Sequence, residues 1–245
     1  MKWCLALVLL CGSLLAHSVP ITVGVTEYAP PLSTSIDGGK SFYGFHIDLM
    51  TALCKRMKMN CLYKAVKLTE QVQALNQGTV DVIFSITPIE QTITGNYVYS
   101  LPYINSDAQF VALLSNNKIN NINDINNVSI GVFANTLYHS FINTQYSATN
   151  TVKVYSSIAD MVSALASKDV DVLIFNNNIA RYIIYNDSNR LKLVGSPIPL
   201  GNGYGLLALK KNIWLINRIN TALLQIESDG TYLAIYKPYF GNEMY

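Results

Sequence analysis

The side chains here that could do covalent or metal chemistry are few and scattered. Cys54 and Cys61 lie near each other, but His46 and His139 show no ligand spacing relative to them, so a metal site has no support. No Ser, His and Asp fall in an order around a nucleophile elbow. Charged residues make up 13% of the chain and the net charge is +2, with no basic run and no Arg interleaved with aromatics. Nothing in that pattern fits nucleic acid; the expected partners are small molecules or proteins.

The elements that must position such residues begin with a leader. Of 245 residues, 50% are hydrophobic, and mean hydropathy is +0.24. The long apolar run is Trp3 to Ala16, too short to span a bilayer comfortably. Lys2, the core Leu5 to Leu10 and Ala16-His17-Ser18 together form a signal-peptide pattern, so residues 1–18 are expected to be cleaved on export. An uncleaved anchor is the other reading, and Cys11 raises a lipid anchor, although it follows Leu10 rather than a small residue. Export removes Cys4 and Cys11. Two thiols left in an oxidising compartment are expected to pair, the alternative being two buried free thiols.

Past the leader the chain alternates strand and helix. Ile21–Val25 reads as a strand, and Phe45 onward as a helix with Ile47, Leu49, Met50 and Leu53 on its apolar stripe, running toward Met57. A strand near Leu62 to Val66, a helix from Thr69 to Gln77 and the strand Val80 to Phe84 follow. The pattern restarts with strand Val128 to Val132, helix Thr136 to Asn143, strand Val152 to Tyr155, helix Ser157 to Ser167 and strand Val170 to Phe175. The order implies α/β architecture with largely parallel sheets. The Asn-rich stretch Asn116 to Asp124 is expected to be a surface crossing between two halves, and Gly201 to Gly205 a second crossing. Strand Leu206–Leu209 and a long helix Ile213 to Ile226 return the chain to the first half.

Local patterns then agree in order with one family. Tyr28-Ala-Pro-Pro-Leu32, Gly44-Phe-His-Ile-Asp-Leu49, Ala52 to Met57 with Cys61, Val80 to Ser85, Tyr99-Ser-Leu-Pro-Tyr103, Leu191 to Gly195 and Asp229-Gly-Thr-Tyr232 span essentially the whole exported chain. The sequence thereby resembles the family 3 periplasmic solute-binding proteins, the polar amino acid receptors of ABC importers, among them the lysine/arginine/ornithine- and histidine-binding members. The resemblance implies a type II two-lobed fold, each lobe a mostly parallel sheet flanked by helices, joined by two crossing strands and closing on ligand like a hinged clamp. Lobe 1 would be 19–108 with 204–245, and lobe 2 would be 109–203. It also implies a Cys54–Cys61 disulfide, a periplasmic location, a permease as partner, no cofactor and a monomer.

By the same resemblance the ligand would touch Tyr28, Leu68, Ser85, Ile86, Pro88, Ile93, Thr136 and Asn176. Tyr28 would stack on it, Leu68 stands where a facing aromatic is usual, and Thr136 opens a lobe 2 helix with amides aimed at an anion. The family's carboxylate-clamping Arg falls on Ile93, or on Glu90 with a shifted gap, and its ammonium-binding Asp falls on Asn176. Both charged clamps are replaced by residues that cannot play their parts. Arg181 could substitute only from a different helix face. Paired loss suits a less charged ligand, since an unmatched buried charge is costly; the alternative is a free amino acid held by Thr136, Ser85 and backbone amides. Glu27, Asp48, Asp81 and Asp171 read as structural or solvated, and His46 as an exposed surface residue. Two rival functions share the fold: a dehydratase of cyclohexadienyl or arogenate type with Glu90 as general acid, and a ligand sensor read by a membrane receptor.

Overall fold

The computed structural model describes residues 20–85, 87–89 and 95–241. The expected leader, with Cys4 and Cys11, lies outside the described residues. In chain order the first elements are β1 (Ile21–Val25), β2 (Tyr28–Ala29), β3 (Ser33–Thr34), α1 (Phe45–Met57), β4 (Cys61–Ala65), α2 (Gln71–Asn76), β5 (Val82–Phe84) and β6 (Tyr97–Tyr99). Then come β7 (Ala108–Leu113), β8 (Ser129–Phe133), α3 (Leu137–Gln145), β9 (Thr151–Tyr155), α4 (Ile158–Ala166), β10 (Val172–Asn176), α5 (Asn177–Asn186) and β11 (Leu191–Ile198). The chain closes with β12 (Leu206–Leu209), α6 (Ile213–Ser228) and α7 (Thr231–Phe240).

Two five-stranded sheets result, ordered β4-β1-β5-β12-β6 and β11-β7-β10-β8-β9. The expected largely parallel character holds for half of each sheet only. β1 runs parallel to β4 and β5, and β8 to β9 and β10, but β12 is antiparallel to β5 and β6, and β7 to β10 and β11. The reversed strands are those next to the crossings, where the chain arrives from the other lobe instead of through a helical crossover. The Asn116 to Asp124 stretch is not a crossing. β7 already pairs in the second sheet from Ala108, and Ile119 and Ile125 are buried in that lobe's core. The crossing lies at Ile104 and Tyr204, which form an antiparallel bridge: Tyr103 N donates to Tyr204 O and Tyr204 N to Ile104 O, each at 2.8 Å.

Apolar periodicity builds the first lobe around α1. Phe45, fully buried, receives the rings of Tyr232, Tyr236, Tyr239 and Phe240 edge-on, with centroids 6.2, 6.1, 6.0 and 5.0 Å away. The carboxy-terminal helix is thereby locked to the amino-terminal half. Behind the crossing strands α7 also meets α5, where the Tyr236 hydroxyl donates to Asn178 Oδ1 and the Tyr232 hydroxyl to Tyr103 O. Asp81 and Asp171 are structural, as expected: the first accepts from Thr22 N at 2.8 Å, the second from Ser129 N and Oγ at 2.7 and 2.6 Å.

Cys54 and Cys61 are joined, tying the end of α1 to the start of β4. Closing so short a loop restricts the unfolded chain by about 2 kcal/mol. Neither cysteine lines the cleft between the sheets. Reduction under native conditions is therefore expected to lower denaturant stability by about 2 kcal/mol while ligand affinity stays unchanged; loss of binding with the fold intact would refute this separation.

Candidate functional site

Between the lobes lies a cavity of about 170 Å³. Its first wall is built by the end of β5 (Phe84, Ser85), the start of α1 (His46) and the loop after β1; the second by Phe133, Thr136 and Tyr138 around the start of α3 and by Ile174, Phe175 and Asn176 of β10. Tyr103, Ile104 and Tyr204 of the crossing strands close the hinge side. Strand ends and helix starts converge here because both sheets present the carboxyl ends of β5 and β10 to the same gap.

His46 corrects the expectation of an exposed residue. It is 7% exposed, lies flat on Phe84 with ring centroids 3.9 Å apart and an interplanar angle of 5°, and its Nε2 is 3.0 Å from the Tyr103 hydroxyl. Burial pushes its pKa down to about 3, so the imidazole is neutral. The other hydroxyls nearby are neutral too: burial pushes Tyr204 up to about 12 and Tyr138 well above the usual phenol range, and the two hydroxyls share a hydrogen bond of 2.9 Å.

Of the residues expected at the site, Leu68, Ser85, Thr136 and Asn176 line this cavity. The three polar ones already serve the fold. Ser85 Oγ donates to Thr87 O at 2.9 Å and accepts from Thr87 N at 3.1 Å. Thr136 caps α3, accepting from His139 N at 3.2 Å and donating to Phe133 O at 2.8 Å. Asn176 caps α5, accepting from Asn178 N at 2.9 Å, and its amide donates to Asn105 O at 2.8 Å. Tyr28 stands outside the cavity, 73% exposed, on the rim of an outer groove of about 720 Å³ that also carries Glu27, Lys67, Glu70 and Asn135. Asn135 holds a positive φ of 57° just before the α3 cap. Pro88 is buried and lines neither space. Ile86, Glu90 and Ile93 lie outside the described residues. Arg181 does not line the cavity; its charge acts on the Tyr236 hydroxyl behind the hinge.

Sequence reasoning missed His46, Tyr103, Tyr138 and Tyr204. Tyr103 and Tyr204 sit in the Ser-Leu-Pro-Tyr and Gly-Tyr-Gly patterns that mark the crossings, a signal that could have placed both rings at the hinge. No carboxylate, ammonium or guanidinium is among the described residues lining the cavity. Among the described residues, too, no cluster of three His, Cys, Asp or Glu could hold a metal ion.

The sequence pattern described as "Bacterial extracellular solute-binding proteins, family 3" matches residues 21–242. The chain belongs to this family. This solute-binding protein is 26% identical over 245 residues to "Putative ABC transporter arginine-binding protein 2" of Escherichia coli (strain K12), covering 98% of this chain and 99% of that one. It is similar to the crystal structure of an arginine 3rd transport system periplasmic binding protein from Legionella pneumophila, with a TM-score of 0.80 and 31% identity over 91% of this chain and 100% of that chain. An ancestral amino acid-binding protein, a precursor of cyclohexadienyl dehydratase, shares the fold of the solute-binding protein at 23% identity, with a TM-score of 0.76, 90% coverage of this chain and 95% of its own.

Proposed function

We propose that this solute-binding protein is the periplasmic receptor of an amino acid ABC importer, which captures a small amino acid or amino-acid-like solute between its lobes and presents the closed form to a membrane permease. The observation that carries the reading is the cavity walled from both sheets with the crossing strands as its hinge side. Relatives named as arginine-binding proteins, matched over nearly the whole chain, support it. The moving bodies are taken as 19–108 with 204–245, and 109–203. Tyr28 is assigned to the groove rim, where closure would bring it over the ligand. Ser85, Thr136 and Asn176 are assigned to the walls, holding the cavity's shape through their own caps and turns. Binding rather than catalysis is the reading adopted, in line with relatives named as binding proteins.

The test is a thermal-shift panel of free amino acids on ligand-stripped protein, with small-angle scattering of each positive. A true ligand at a hundred times its Kd stabilises by about 2.7 kcal/mol. At least one amino acid is expected to raise Tm and shrink the radius of gyration; a panel that leaves both unchanged would refute the receptor reading.

A further inference from the structure

The two lobes also meet behind the crossing strands, on the side away from the cleft. Tyr103 and Ile104 line the cavity and also a rear pocket of about 280 Å³, which Asn178 of α5 shares with Glu227, Tyr232 and Tyr236. There the buried Tyr236 hydroxyl donates to the buried Oδ1 of Asn178. Each partner is fastened to its own lobe. Asn178 stands in the first turn of α5, capped by Asn176 of β10 and tied to the start of β7 by Asn177 N donating to Asp107 O at 2.8 Å. Tyr236 packs on Phe45 and Phe240 in the first lobe, with ring centroids 6.1 and 4.8 Å away. In front, among the described residues, no hydrogen bond or ion pair crosses the cleft clear of the crossing strands; the Tyr138 hydroxyl bonds Tyr204, itself on a crossing strand.

We infer that Tyr236 and Asn178 form a rear strap that sets ligand affinity without lining the cleft: it holds the lobes apart in front, and closure has to break it. Two bodies turning about the crossing strands move in opposite senses on the two sides of that axis, so a turn that narrows the front widens the rear. The rear bond is made while the front is unbridged, so its free energy counts against the closed form. Apparent affinity then falls with the fraction of molecules able to close. The inference rests on the receptor reading and adds to it a residue pair that tunes affinity from outside the site.

Pulsed electron resonance between nitroxide labels tests it, with the labels on Val72→Cys and Val154→Cys, exposed positions in the first and second lobes. Tyr236→Phe removes the hydroxyl and keeps the ring. With no solute added, the short-distance population is expected to rise about fivefold in Tyr236→Phe and in Asn178→Ala, the equivalent of one hydrogen bond. When equal parts of the common amino acids are added, the concentration that half-closes the protein is expected to fall by about the same factor. Tyr232→Phe is the control, since its hydroxyl donates to Tyr103 O on a crossing strand and not to the second lobe; its Tm is expected to fall while the distances stay as they were. A lower Tm in Tyr236→Phe with populations and midpoint unchanged would overturn the strap and leave the receptor reading standing. An unaltered protein that no amino acid closes would overturn the receptor reading, and the populations without solute would still decide the strap.

Discussion

Lowering the pH from 6.5 to 4.5 is expected to cost the native state about 2 kcal/mol that a His46→Gln variant does not lose. The imidazole is buried against Phe84 and Tyr103, and burial holds its pKa at about 3, against an ordinary value of 6.5. Between those values the unfolded chain binds a proton that the folded chain refuses, so stability rises with pH at up to about 1.4 kcal/mol per unit and levels off above 6.5. Carboxylates held low by backbone hydrogen bonds, such as Asp37 at about 2, weaken the fold in the same direction only at lower pH, and Glu227, whose carboxyl burial pushes up, titrates in the window with the opposite sign in both proteins, so the difference between the two isolates the histidine. Glutamine keeps an amide near the position of Nε2 to meet the Tyr103 hydroxyl. Urea titrations at four pH values check this; equal slopes in both proteins would sink it. The absence of charge among the described residues that line the cavity depends on that neutrality.

Gly44→Ala is expected to destabilise by about 3 kcal/mol or more, whereas Gly78→Ala should cost about 1 kcal/mol. Both glycines have positive φ, 121° and 67°. They differ in what a methyl group would strike. At Gly44 a Cβ would stand 2.6 Å from Leu32 O and 2.9 Å from Pro31 O, the same carbonyls that accept from His46 N and Phe45 N; at Gly78 nothing lies within 4 Å. The clash is backbone against backbone, so no side chain can yield, and the loop carrying Ala29 and Leu32 into the cavity wall would have to move. Chemical denaturation of both variants decides the matter: similar losses at the two sites would mean that the contact at Gly44 is not the cause.

The strands and helices with their own hydrophobic period were legible. β12 lies at Leu206–Leu209 and α4 within the expected Ser157 to Ser167, because a short apolar run after a glycine-rich turn and a helical stripe are local properties of the chain. β7, α5 and α7 were not read as elements. β7 has the polar Gln109, buried in the fold, interrupting its apolar run; α5 opens Asn177-Asn178 and ends at Asn186; α7 carries Pro238 inside it. At the cavity wall, Thr136 and Asn176 each cap a helix; the cap was legible at Thr136, whereas Asn176 was singled out only by the resemblance. His46 was misread because a polar residue in a first helical turn normally faces water. Here the side chain lies on Phe84 and against Tyr103 at the cavity wall, and only the tertiary fold reveals it.

The order of strands in the first sheet has a consequence for how the molecule comes into being. β12 sits between β5 and β6, so an interior strand of that sheet is synthesised only after every strand of the second sheet. The second sheet draws all its strands from the unbroken stretch 108–198. A chain growing from its amino end therefore has one complete lobe while the other still holds β4-β1-β5 with an open edge. That edge stays exposed to misassociation until Leu206–Leu209 arrives, so the half of the protein made first is the half finished last.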